Sequence, residues 1–331
     1  MSGEVSRTAS FIARLAGGLR TLVVGTLLSL SALGSVILLG WLMALMRRRA
    51  LLVAGLPLVE HDHPRWLLSS SHDAWPKRLA GGLGGNISRG VAAAASLAIA
   101  TFPFAVFWMV AWWAGWENSF NKGYEYAFVG PMVGFAGILL FAVVMVFVPM
   151  ALVHQVVEQR PFSFFELRRV RSVVSHTGPN YILWAAACVI LSFPIFLSRA
   201  LPAFAEDFFP AISELTIDEA AGVKLAINLA VGLYLFVTLM FLKRWSAGIY
   251  ARAAKRAAAS VDAPLWQNSA FVSDNLYSDG KTPWRIARLA RLCLLIVIWA
   301  GLAGLIFVGQ FVNHAWHVWL THPVVFLPWV M

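Results

Sequence analysis

Residues 127–153 read AFVGPMVGFAGILLFAVVMVFVPMALV, an unbroken apolar run without one Asp, Glu, Lys or Arg. A helix rises about 1.5 Å per residue and the hydrocarbon core of a bilayer is roughly 30 Å thick, so such a run crosses a membrane as a helix. Five further stretches share this character: 21–46, 91–113, 181–198, 225–242 and 292–312. Together they predict an all-α fold, a polytopic transmembrane helical bundle. It has six hydrophobic segments, the first either spanning or re-entrant, plus amphipathic interfacial helices. Residues 1–331 read as one integral membrane domain.

The composition agrees. Of 331 residues 60% are hydrophobic and 13% charged, against about 25% charged in soluble domains. Mean hydropathy is +0.72. The two cysteines, Cys188 and Cys293, both fall inside apolar segments, where they read as small hydrophobes and form no disulfide framework. The N-terminal Arg7, Arg14 and Arg20 precede an apolar run too long for a signal-peptide core, so the segment reads as retained.

Basic residues sort unevenly among the connections. Seven Lys or Arg lie in 47–90, four in 154–180 and nine in 243–291, whereas the other two connections hold only Lys122, Arg199 and Lys224. Those two also carry Glu117, Glu125, Glu206, Asp207, Glu214, Asp218 and Glu219. The positive-inside rule then places the basic connections in the cytoplasm, with the acidic connections and the C-terminus outside, as in a bacterial inner membrane. The net charge of +10 is thus an orientation signal. It predicts contact with the bilayer and its anionic headgroups, and no nucleic acid, which would need a basic face on a soluble module.

The first segment, 21–46, admits two readings. As a plain span it would strand a basic N-terminus outside. Its Gly25, Ser29, Ser31, Gly34, Ser35 and Gly40 also allow two half-helices that enter and leave on one side.

Among the connections, residues 50–59 fit a short interfacial helix. Ser163 and Glu166 have capping-box spacing, predicting a helix start there. Phe164, Leu167, Val170 and Val174 form its apolar stripe, flanked by Arg168, Arg169 and Arg171. Those three arginines are candidate lipid-surface contacts, as are Arg285 and Arg288, which follow the Thr282-Pro283 helix start and can snorkel to the headgroups. A repeat at an offset of 91 relates 88–153 to 179–244, pairing Thr101-Phe102-Pro103 with Ser192-Phe193-Pro194, and predicts two kinked helices. Duplication and coincidence both remain open. Gly130 and Gly134, like Ala300 and Gly304, are spaced for close helix approach, within the bundle or against a membrane-protein partner.

Chemistry-bearing residues are sparse. None of the six segments carries a carboxylate, Lys or Arg, which argues against an ion-coupled pump. The clustered metal-capable set is His61, Asp62, His63, His72 and Asp73, without a metal-motif spacing, so polar turn residues are the simpler reading. His314, His317 and His322 among Trp316, Trp319 and Trp329 read as an interfacial tail. No nucleophile elbow, phosphate loop, dinucleotide fingerprint or HExxH occurs, and no cofactor is implied.

Gly40-Trp41-Leu42 before Arg47-Arg48, Trp75 with Gly82-Leu83, and the run from Ser163 to Arg169 with Phe164-Phe165 resemble the motifs of an uncharacterised family. It is a domain-of-unknown-function family of multi-pass bacterial and archaeal membrane proteins. The resemblance spans about 20–245, and the His-rich insertion and final helix depart from it. It implies topology and no activity. The function class that fits is a non-enzymatic integral membrane protein, a scaffold, assembly factor or accessory subunit. A transporter or permease component is the alternative, and a lipid-modifying membrane enzyme comes third.

Overall fold

In a computed structural model, the structure describes residues 2–59, 62–68, 74–116, 128–200, 210, 214–271, 285–312 and 322–330. The helices are α1 (Ser2–Ser29), α2 (Ala32–Ala54), α3 (Trp75–Leu79), α4 (Gly85–Trp116), α5 (Val129–Met145), α6 (Val148–Glu158), α7 (Leu167–His176), α8 (Asn180–Ala200), α9 (Ile217–Ala258) and α10 (Arg285–Val312). Among the described residues, five stretches are long and apolar enough to cross a membrane: Trp75–Trp113, Val129–Glu158, Asn180–Ala200, Ile217–Ala258 and Ile286–Gly309. Large apolar side chains such as Phe102, Met132, Phe135, Ile190, Leu225 and Val297 stand exposed along them. Lipid covers such surface without cost.

The first apolar segment is a hairpin of two helices. Ser31 ends the ambiguity locally: its backbone is extended and its side chain accepts from the Gly34 amide, the geometry of a helix N-cap. Just before it, the Ser29 hydroxyl donates to the Thr26 carbonyl at 2.7 Å and closes α1. The two helices then run in opposite directions along α9. Gly25 meets Phe236 while Gly232 faces Ser29, Leu30 and Thr26, so α1 is antiparallel to α9. Trp41 packs on Phe236 and Val53 reaches Gly248, so α2 runs parallel to it. Both outer ends of the hairpin therefore lie at one end of the bundle, the end that carries the three basic connections. The single helix that a plain span through 21–46 requires is thereby replaced by two antiparallel helices.

Residues 322–330 fold back over this break. The Val330 amide donates to the Ser29 carbonyl at 3.0 Å, and the Arg199 guanidinium donates to the Trp329 carbonyl at 3.1 Å. Val330 joins Leu38, Leu42, Ile195, Leu235 and Leu239 in one apolar cluster, and His322 is buried. The part of the expected interfacial tail that is described thus packs back onto the bundle. His314, His317, Trp316 and Trp319 lie outside the described residues.

Helix α9 is about 63 Å long at 1.5 Å per residue, twice the bilayer core. Its upper end is a formed capping box, Thr216 with Glu219. Its lower turns are lined by Ala247, Ala251, Ala254, Ala257 and Ala258, all buried, and the small side chains let α2, α6 and α7 crowd around them. A folded basic head thus extends beyond the membrane-spanning part.

Several local expectations are corrected. Residues 50–54 continue α2, because Arg47-Arg48-Arg49 do not interrupt a helix; Gly55 does, at φ 72°. Ser163 does not cap a helix. Pro161 starts a 3-10 turn, the Ser163 hydroxyl donates back to the Arg160 carbonyl at 2.6 Å, and α7 begins only at Leu167. The Thr101 and Ser192 hydroxyls donate to the Leu97 and Cys188 carbonyls, each four residues back, and not to the carbonyls of Ile99 and Ile190 that the prolines release. Gly134 serves packing within the chain, against Phe307 and Ala111, whereas a side chain at Gly304 would meet open space.

Candidate functional site

At the basic end, Pro149 separates α5 from α6, and the Tyr181 hydroxyl donates to the Val146 carbonyl left at the break. The α6 that follows is buried along its length, and it carries His154, Gln155 and Glu158 into the head. His154 is fully buried between Tyr250, at 2.7 Å from Nδ1, and Glu166, at 3.0 Å from Nε2. A carboxylate only accepts, so Nε2 carries the proton, and the neutral ring accepts the Tyr250 O–H at Nδ1.

Glu166 gathers the cations around it. Arg160 donates to it at 2.7 Å and Arg169 at 2.8 Å. Burial alone would raise its carboxyl, but the His154 hydrogen bond and the charges of Arg169 and Arg160 hold it below the ordinary carboxylate value. Arg169 also donates to the Leu265 carbonyl at 2.7 Å and lies 5.9 Å over the Trp266 ring. The buried Glu158 accepts from the Ser269 hydroxyl and the Ala270 amide. These bonds fasten α6, α7, α9 and the 263–271 turn to one another.

Beside this network lies a cleft of about 400 Å³ between α2, the start of α4 and the end of α6. Arg47, Arg89 and Arg160 line it, with Asp62, Ser88, Gln155 and Gln159. Of the three guanidinium groups, Arg160 is already paired with Glu166 and Arg47 with Asp62. Asp62 is 3.0 Å from Arg47 and also accepts the Val59 amide at 2.9 Å. Arg89 is held by the Asn86 side-chain oxygen at 2.9 Å, and Asn86 in turn donates to the Arg65 and Trp66 carbonyls. Trp66 stacks on Trp41 at 4.3 Å, which pins this loop to α2. The Nε groups of Arg47 and Arg89 and the Gln155 side-chain oxygen are buried without hydrogen-bond partners. Gln159 turns its amide toward Arg47 and holds φ at 55°, the left-handed region that a non-glycine residue occupies at a cost of about 1–3 kcal/mol.

The predicted site residues fall in different places. Arg168 and Arg171 are exposed on α7. Arg169 points inward, as described. Arg288 and Arg291 donate to Ser175 and Thr177 and so tie α10 to the end of α7; the Arg285 side chain lies outside the described residues. Of the metal-capable set, His63 is exposed and Asp62 is taken by Arg47, while His61, His72 and Asp73 lie outside the described residues. Among the described residues no cluster of three such groups occurs. The sequence reading missed the cleft: Arg47 and Arg89 each border an apolar run, and only the close approach of α2 and α4 brings them together.

No family model, curated protein or solved structure matches this chain.

Proposed function

We propose that this multi-pass membrane protein is a non-enzymatic accessory or assembly subunit whose basic head lies in the cytoplasm. The supporting observation is the head itself. α9 continues well past its apolar window, α6, α7 and the 263–271 turn are fastened to it by the His154, Glu158 and Glu166 network, and α2 packs alongside. A rigid, positively charged platform on a membrane anchor is suited to docking. Orientation is tested with reporters: one fused after Gly280 should read as cytoplasmic and one after Glu214 as external, and finding both on one side overturns the topology.

The transporter reading draws on the hairpin broken between α1 and α2 and on the interior prolines of α4 and α8. One experiment separates the two. The protein is extracted from its own membrane in polymer nanodiscs and its particle mass is measured. A complex of fixed stoichiometry that dissociates when Arg168 and Arg171 are both replaced by Glu is expected. A lone chain that moves solute across reconstituted vesicles would favour the transporter.

A further inference from the structure

We infer that the cleft between α2 and α4 is a binding site for a phosphate group, supplied by an anionic lipid headgroup or by a soluble phosphate. The electrostatics come first. Arg47 and Arg89 lie in one cleft, and among the described residues Arg89 has no carboxylate partner, its one bond being to neutral Asn86. Two like charges held together and partly desolvated repel each other, and a bound dianion or monoanion relieves that repulsion.

Hydrogen-bond chemistry narrows the ligand. The cleft offers the Arg89 guanidinium, bonded to the protein only through Asn86, with the unpartnered Nε of Arg47 and the nearby Ser88 hydroxyl beside it. Planar forks pair with the oxygens of a tetrahedral oxyanion through two parallel N–H donors each. Asp62 offsets Arg47 at 3.0 Å and Glu166 holds Arg160 at 2.7 Å, which leaves the charge of Arg89 uncompensated in the cleft. The volume of about 400 Å³ exceeds a bare phosphate and leaves room for the group that it is esterified to.

Position points to the same ligand. Arg89 stands two residues before the apolar run 91–113, and Arg47 directly follows the run 21–46. Both therefore sit where hydrocarbon gives way to headgroups. Met43, Ala44 and Ala92 give the cleft an apolar wall beside its charges, which suits a phosphate carried on an acyl chain. The site is distinct from the exposed face of α7, and it stands whether or not another chain docks on the head.

The test uses the full-length protein in detergent and in nanodiscs, with thermal stability and native mass spectrometry as readouts. The first arm adds inorganic phosphate, and the second compares phosphatidylglycerol with phosphatidylcholine bilayers. Wild type should gain several degrees of melting temperature in at least one arm. A gain with phosphatidylglycerol, with lipid retained in the mass spectrum, assigns the headgroup; a saturable gain with inorganic phosphate alone assigns the soluble source. Arg89→Gln, which can keep its bond to Asn86, should weaken the response at least tenfold, and Arg89→Lys should restore part of it. Arg252→Gln, on an exposed face of α9, should respond as wild type does. Absence of any response in wild type, or an undiminished response in a folded Arg89→Gln, overturns the assignment; so does an equal loss in Arg252→Gln, which would mark general surface attraction.

Discussion

Gly40→Ala and Gly90→Ala should each cost more than about 3 kcal/mol, enough to leave little folded protein after extraction. Helices α2 and α4 touch through these two residues. A Cβ on Gly40 would land on the carbonyl of Asn86, and one on Gly90 on the carbonyl of Val36. The obstacle in each case is backbone, which cannot rotate aside as a side chain can. The helices would have to separate, and the cleft between Arg47 and Arg89 would open with them. Gly301→Ala is the contrasting case: a Cβ there meets nothing within 4 Å, so alanine should be neutral or stabilise by up to about 1 kcal/mol through its helix propensity. Melting temperatures of the three variants in one detergent check this, and a Gly40→Ala protein as stable as wild type would refute the close approach.

His154→Leu should be the next most damaging change, at about 1–3 kcal/mol. It leaves the Tyr250 hydroxyl, which is completely buried, without its partner and removes a donor from Glu166. The informative variant is the pair. Adding Tyr250→Phe deletes the stranded hydroxyl, so the double variant should be about 1 kcal/mol more stable than His154→Leu alone. Strictly additive losses would show that the two side chains do not share a bond.

The spans were legible because a bilayer imposes its demand residue by residue. Any run as apolar as 127–153 declares itself without reference to a neighbour. The hairpin was legible only as an alternative, since Ser29, Ser31 and Gly25 permit a break but do not require one. What decides it is tertiary: Gly232 on α9 makes room for Ser29, and Val330 supplies a donor to its carbonyl. The capping-box pattern shows the same limit from the other side. Ser163 with Glu166 and Thr216 with Glu219 have equal spacing, yet only the second pair forms the box. Thr216 is exposed and meets no competitor, whereas Glu166 is drawn away by His154, Arg160 and Arg169. Within the candidate site, Arg47 and Arg89 are separated by a long irregular connection, and local pattern carries no information about a meeting set by two glycines.

The bond between Val330 and Ser29 also dictates a schedule. Some three hundred residues of chain must follow the hairpin before the donor of this bond is made. Until then the Ser29 carbonyl lacks the donor that it has in the fold, and hydrocarbon around it would supply none. The final seating of the hairpin is therefore a long-range closure, the kind of contact whose loop entropy must be spent before it forms.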